Sequence, residues 1–472
     1  MRPVPTVAEM RAVDQDALVW TTHGALVGLA GRRLAAHAKR MLGANPSGRR
    51  VAIVAGKGSN GADGRVAARW LGTWGCHVMV LDAAALPVKL PAVDLVVDAA
   101  YGTGFSGAYH PPDPGRAAVL ACDVPTGVDG DTGAVAHAVR ADETITFGAE
   151  KPGLLLGDGP DHAGLVHVEA LGLDCSRAQA WLLEDGDVGL VPPRPRQGHK
   201  WQAAVLVVAG SPGMLGAAQL CANATMRGGA GYALLASPGC AAADLPPGEH
   251  VGRSLPAQGW EAEVLPLLER VKAVAMGPGL GASRATKDGV GAVLDAFSGP
   301  VVLDADALAG LDLDRLARRR APTVLTPHEG EFTRLFGPIG PCRLGAAVAA
   351  ATRSGAIILL KGPTTVVADP AGRVRLAAAG TSRLATAGTG DVLTGIVAAL
   401  LARGVPALDA AALAAHAHGS AAQLGPRWGL VAGDLPTLIS RWLSAQLLSG
   451  EGVAQRGTAP GRTAWSPEQG AP

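Results

Sequence analysis

The run VAIVAGKGSNGADG, from Val51 to Gly64, passes from a short β-branched apolar stretch through a GxGxxG loop (Gly56-Lys57-Gly58-Ser59-Asn60-Gly61) into residues of helical character. Strand, glycine loop and helix in that order open a βαβ unit of the dinucleotide-binding kind, and Asp82 closes the next apolar run, HVMVLD, about twenty residues further on. Glycines let the backbone approach a pyrophosphate there, and unpaired N–H groups at the helix start attract an anion.

The same alternation continues along the chain. A helix over about 62–74 joins the first two runs, and VDLVVDAA (93–100) and AAVLACD (117–123) follow. A second series comprises AAVLVVAG (203–210), YALLAS (232–237), VKAVAMGPG (271–279), PVVLDAD (300–306), PTVLTPH (322–328) and AIILLKG (356–362). Short buried-type strands between Ala-rich helical stretches predict an α/β protein with parallel sheets covered on both faces, and the restart near residue 203 predicts two sheets. Residues 188–200, VGLVPPRPRQGHK, hold three prolines without periodicity and read as a junction. Domains are therefore expected over residues 1–178 and 179–450, with 451–472 a Gly/Pro/Ser-rich disordered tail.

Composition narrows the function classes. With 48% apolar and 17% charged residues, the 472-residue chain has ample material for a core. A formal net charge of +1, with Arg318-Arg319-Arg320 as the densest basic run, leaves no electrostatic footprint for nucleic acid. Six scattered cysteines without a CxxC pair argue against a zinc site and read as reduced core thiols. The first residues carry acids and prolines where a signal peptide needs an apolar run, and the uncharged stretch 201–226 is cut by Gly210-Ser211-Pro212-Gly213. The expectation is a cytoplasmic protein with small-molecule substrates and no nucleic-acid or membrane partner, self-associating as a homo-oligomer through exposed apolar faces.

In the first half, Asn60, Asp63, Asp98 and Asp123 of DVPTG fall at or just past the carboxyl ends of predicted strands, where open α/β sheets bind ligands. Their carboxylate and amide oxygens, with the Thr126 hydroxyl, make a hard-cation donor set, although Asp, Asn and Gly also dominate loops for conformational reasons. The constellation resembles the NAD(P)H-hydrate epimerase domain, also called the YjeF N-terminal domain, a Rossmann-like fold with the pattern GNNGGDG, an Asp-ended strand before a glycine-rich loop, and D-x-P-S/T-G. Over about residues 1–178 the resemblance implies that Ser59, Asn60, Gly61, Ala62 and Asp63 hold the hydrated nicotinamide nucleotide together with Gly102, Thr103, Gly104, Phe105, Ser106, Gly107 and Ala108. It also implies a binding and catalytic role for Asp123 and a potassium ion (K+) on Asn60, Asp98 and Thr126. Ser59 and Ala62 depart from the motif's first Asn and second Gly, and the methyl group at 62 narrows the loop's conformational choices.

In the second half, TAGTGD (386–391) directly precedes the apolar stretch 392–402, so N–H groups at a helix start converge on an anion beside the Asp391 carboxylate. That pairing suits phosphoryl transfer, with Asp391 taking the proton of an attacking hydroxyl; a plain N-cap is the structural alternative. GPGLG (277–281), DAD (304–306), TPHEGE (326–331) and KGPTT (361–365) lie at other strand ends, offering Lys361 to a phosphate, Asp304 or Asp306 to a metal and His328 to a substrate. In this order the motifs, with His199-Lys200, resemble the ribokinase-like ADP-dependent NAD(P)H-hydrate dehydratase over about residues 180–450. The resemblance implies that Lys361, Gly362, Pro363, Thr364, Thr365 and Gly390 bind ADP. It implies further that Ala224, Gly281, His328 and Asp391 face the hydrate, with Asp391 catalytic and Mg2+ assisting.

Together the two resemblances imply nicotinamide nucleotide repair: R and S hydrates of NADH or NADPH interconvert in one half, and the other dehydrates the S form as ADP becomes AMP and phosphate. The fold and the GTGD loop alone leave open a ribokinase-like sugar or vitamin kinase fused to a nucleotide-binding domain, or a non-catalytic nucleotide-binding regulator.

Overall fold

The computed structural model describes residues 1–457 apart from 106 and 108. Among them, strand β1 (Arg2–Pro3) precedes two sheets. In the first, β2 (Arg50–Ala55), β3 (His77–Asp82), β4 (Leu95–Ala99), β5 (Ala118–Cys122), β6 (Glu143–Phe147) and β7 (Leu165–Glu169) run parallel in the order β3-β2-β4-β5-β6-β7. The second contains β8 (Ala180–Leu182), β9 (Ala204–Val208), β10 (Tyr232–Pro238), β11 (Val251–Leu255), β12 (Ala273–Met276), β13 (Val301–Leu303), β14 (Thr323–Leu325), β15 (Ile357–Leu360), β16 (Thr365–Ala368) and β17 (Val374–Ala377). Its eleven strands are ordered β1-β8-β17-β16-β15-β14-β13-β12-β9-β10-β11.

The predicted strands all form, because β2, β4, β9 and β12 are covered on both faces and read as continuous apolar runs. Strand order reverses between β2 and β4 in one sheet and between β9 and β12 in the other, which opens a crevice at the carboxyl ends of each pair. Helices His23–Leu42 and Ser59–Thr73 bury their apolar faces with Leu34, Ile53 and Leu71. Helices Leu215–Arg227, Thr389–Ala402 and Ala407–Leu424 cover one side of the second sheet, and Arg284–Ala296 with Arg343–Ser354 the other.

Several boundaries differ from the sequence expectation. The helix expected over 62–74 starts at Ser59 instead, with Gly61 packed so tightly on Gly56 that a Cβ would lie 1.9 Å from the Gly56 carbonyl oxygen. Ala62 is thus an ordinary first-turn residue whose N–H bonds Gly58 O at 3.1 Å, and its methyl forbids nothing the helix needs. Helix Leu435–Gly457 carries helical backbone past residue 450, since after Pro436 in its first turn no proline interrupts the sequence before Pro460. The rest of the expected tail, 458–472, lies outside the described residues. The two halves also share structure: β1 pairs antiparallel with β8 at the edge of the second sheet, and Val4, Leu155 and Leu156 join that sheet's apolar core.

Candidate active sites

The crevice of the first sheet opens into a cavity of about 870 Å³. Apolar side chains including Met10, Leu18, Leu26, Val27, Tyr101, Phe105 and Phe147 form much of its wall, and Asp14, His23, Ser59, Asn60, Asp63, Asp123 and Lys151 supply polar groups. Asp123 has φ 68°, a left-handed conformation that costs a non-glycine residue on the order of 1 kcal/mol and aims its carboxylate back over β6. There it is ion-paired with Lys151, which is 1% exposed and also donates to Thr146 Oγ1 (2.8 Å) and the Phe147 carbonyl (2.7 Å). Asp63 is buried, and burial first, then the charges of Asp123 and Asp14, push its carboxyl up to about 8.

Beneath the loop, Asp98 is 2% exposed and accepts from the Thr126 N–H (2.8 Å), the Thr126 hydroxyl (2.7 Å) and the Ala100 N–H (3.2 Å). Burial pushes its carboxyl up to about 6 against these bonds, and among the described residues no cation pairs with it. The Asn60 amide is buried with neither oxygen nor nitrogen bonded.

The second site lies where β12, β13, β14 and β15 end. Helix Thr389–Ala402 begins behind Gly388, whose φ of 89° turns the chain so that the first-turn N–H groups and the Asp391 carboxyl face the crevice. Lys361 Nζ donates to Asp304 Oδ1 (2.8 Å) and lies 3.7 Å from Glu331 Oε2, while Thr394 of the same helix donates to Asp304 Oδ2 (2.8 Å). Burial, assisted by Asp304 and Asp306 and opposed by Lys361, lifts the Asp391 carboxyl to about 7. Gly281, with φ 77°, donates its N–H to Asp306 Oδ2 (2.8 Å), tying the GPGLG loop to DAD. Ala305, between the two acids, has φ 48°; with Asp123 and Leu171 it makes up the positive-φ non-glycine residues described, and all three sit at the two crevices.

Comparison with known proteins follows the same division. A family model described as YjeF-related protein N-terminus matches residues 23–86 and 79–153, and one described as NAD(P)H-hydrate dehydratase matches 205–444. The bifunctional NAD(P)H-hydrate repair enzyme of Salinibacter ruber is 35% identical over 96% of this chain and 98% of its own, and that of Mycobacterium tuberculosis is 37% identical over 87% and 92%. The chain belongs to the bifunctional NAD(P)H-hydrate repair enzyme family. A ribokinase-like superfamily protein from Enterococcus faecalis superimposes with a TM-score of 0.50 at 22% identity, covering 57% of this chain and 96% of that one, which shows the fold of the second half.

Within this NAD(P)H-hydrate repair enzyme scaffold, the residues singled out in the sequence separate into groups. Ser59, Asn60, Asp63, Gly102, Thr103, Gly104, Phe105 and Asp123 line the first cavity. Gly61 instead packs on Gly56, Ala62 is half-buried in the helix, Gly107 takes φ 128°, and Ser106 and Ala108 lie outside the described residues. Ser59, standing for the family's Asn, bonds His23 Nε2 at 3.1 Å. In the second site Lys361, Gly362, Pro363 and Thr364 form the turn between antiparallel β15 and β16, with Thr365 opening β16; a Cβ on Gly390 would lie 3.6 Å from Lys361 Nζ. His328 caps helix Glu329–Phe336, Nδ1 accepting from the Gly330 N–H (3.0 Å), with the ring 55% exposed. Ala224 is fully buried against Gly395 of the neighbouring helix and exposes nothing to the crevice. The sequence reading missed Lys151, because β6 (ETITF) carries Glu and two Thr and so lacks the apolar run that flagged the other strands. A lysine shortly after that strand, at the same sheet end as Asp123, was the available signal.

Two absent groups can be tested against these residues. Potassium fits the first site: the unbonded Asn60 oxygen, the buried Asp98 carboxylate without a cation and the Thr126 hydroxyl are hard oxygen donors. Magnesium fits less of the DAD motif than the sequence suggested. Each Asp304 oxygen already accepts a bond, from Lys361 or Thr394, whereas Asp306 Oδ1 accepts none among the described residues, so Asp306 is the freer of the two acids for a cation that takes its remaining ligands from phosphates and water.

Proposed function

We propose that the first half interconverts the R and S hydrates of NADH and NADPH, and that the second converts the S hydrate to the intact dihydronicotinamide as ADP becomes AMP and phosphate. The observation that carries the second activity is the Asp391 carboxyl, without a hydrogen-bond partner among the described residues, at the start of helix Thr389–Ala402 and beside Lys361. A base near neutrality is suited to take the hydrate's hydroxyl proton as that oxygen bonds to the β-phosphorus and AMP departs with the broken P–O bond pair. The helix-start N–H groups and Lys361 stabilise the charge on the phosphoryl group in transit. Phosphate then leaves with the C–O electron pair and the adjacent carbon loses a proton, restoring the ring double bond. Lys361, Gly362, Pro363, Thr364, Thr365 and Gly390 hold the nucleotide, and Gly281 and His328 border the hydrate.

Magnesium on Asp306 would neutralise the polyphosphate, and potassium on Asn60, Asp98 and Thr126 would compensate the buried carboxylate below the first cavity. Six free cysteines support a reducing, cytoplasmic setting, and no described helix is long and apolar enough to cross a membrane. Exposed Val19, Trp20 and Trp70 support self-association.

Incubating the full chain with mixed R and S hydrates and ADP tests this reading. Regain of dihydronicotinamide absorbance beyond the initial S fraction, with stoichiometric AMP, is expected. A small-molecule kinase would restore no absorbance, and a regulator would change neither signal.

A further inference from the structure

We propose that Asp63 is the general acid of the epimerisation, protonating the hydroxyl of the hydrate on one face of the ring while Asp123 acts as base on the other. This rests on the epimerase reading of the first half.

Asn60 and Asp63 are three residues apart on helix Ser59–Thr73 and so share the face that lines the cavity. Asp123 meets that face across the glycine loop: a Cβ on Gly102 would lie 3.5 Å from both Asn60 Cγ and Asp123 Oδ2. The charged or titratable groups that line the cavity with Asp63 include Asp123 after β5, Lys151 after β6, Asp14 on helix Val7–Ala17 and His23 at the start of helix His23–Leu42, and of these the charges of Asp123 and Asp14 act on its carboxyl. Lys151 is already spent, its three donors going to Asp123, Thr146 and Phe147. Asp63 is therefore left buried, with Oδ1 unbonded and with acids as its charged neighbours, surroundings in which a carboxyl keeps its proton at neutral pH. Two carboxyls in one cavity, one protonated and one ion-paired, make an acid and a base.

The substrate chemistry needs such a pair. Hydration of a dihydronicotinamide ring protonates the enamine at its β carbon and places the hydroxyl on the carbon bonded to the ring nitrogen. Asp63 gives its proton to that hydroxyl, the C–O bond breaks with its electrons leaving in water, and the nitrogen lone pair forms a C=N double bond. A water on the Asp123 face adds to the carbon, the C=N pair returns to nitrogen, and Asp123 takes the released proton. The configuration is inverted, Asp63 is ionised and Asp123 protonated. Proton exchange through cavity water resets both, and the reverse reaction uses them in exchanged roles.

The test is the full-length Asp63→Asn variant, followed by the rate of R-to-S interconversion, with thermal melting as the fold control. At saturating hydrate the rate should fall about 10²- to 10⁴-fold with KM within a few-fold of wild type, and the melting temperature should not drop. Asp63→Glu, which keeps an acid, should retain measurable turnover. An Asn variant within a few-fold of wild type, a loss confined to KM, or a Glu variant as inactive as Asn would overturn the assignment. If the wild-type chain does not interconvert the hydrates, the epimerase reading fails instead.

Discussion

Asp304 and Asp391 share one cation. Lys361 Nζ is bonded to Asp304 at 2.8 Å and draws the Asp391 carboxyl down, while burial, aided by the Asp304 charge, drives it up to about 7. The balance leaves a base that titrates near neutral pH, and Asp391 makes no capping bond, since the helix starts behind Gly388 without a side-chain cap.

Asp391→Asn preserves shape, and no capping bond is lost because the helix starts behind Gly388 with no side-chain cap, but the amide cannot accept a proton. It should fold, melt near wild type, still bind AMP and still epimerise, while dehydration falls about 10²- to 10⁴-fold. In the wild type, dehydration should rise with pH up to about 7 and level off, because the ionised form is the active one. Dehydration by Asp391→Asn within a few-fold of wild type would remove Asp391 as the base.

Lys361→Met removes the group that lowers the Asp391 carboxyl, so the acidic limb of any residual dehydration should move to higher pH. It also strands Asp304, 2% exposed, without its counter-charge, and a loss of roughly 3 kcal/mol in stability is expected from urea unfolding. AMP affinity, read by calorimetry, should weaken in the same variant.

Potassium dependence should track Asp98, the one formal charge among its three donors. Asp98→Ala should lower epimerisation and abolish its response to added potassium, whereas dehydration of the pure S hydrate changes little. A variant with the wild-type potassium response would remove the ion from this place.

Asp63 also makes stability depend on pH. Its folded value of about 8 lies above the ordinary carboxyl value of 3.8, so unfolding releases a proton between these limits. Its contribution is favourable below about pH 4 and is lost as pH rises toward 8. Replacing Asp63 with Asn should therefore raise the melting temperature by a few °C at pH 7.5 and hardly change it near pH 4.

The parts of the molecule that the sequence disclosed are those written in contiguous residues. Strands β2, β4, β9 and β12 read as apolar runs because both their faces are covered, and Asn60, Asp98, Gly210 and Gly277 lie at or just past their carboxyl ends in order. What stayed hidden depends on residues far apart in the chain. Lys151 acquires meaning only against Asp123, 28 residues earlier. The bond from Thr394 to Asp304 spans 90 residues and ties the DAD acid to the helix that carries Asp391, a link no local motif shows. Ala224 looked like a rim residue until helix Thr389–Ala402 was found to cover it.

The pairing of β1 with β8 fixes an order of events in folding. Arg2 and Pro3 are made well ahead of their partner strand, which begins at Ala180, and β8 itself is flanked on its other side by β17, starting at Val374. On the ribosome Arg2 and Pro3 must wait until β17, at Val374–Ala377, has been synthesised before the sheet edge that receives them is complete. A gene cut at 178/179 would deliver a first half whose opening strand never finds its seat.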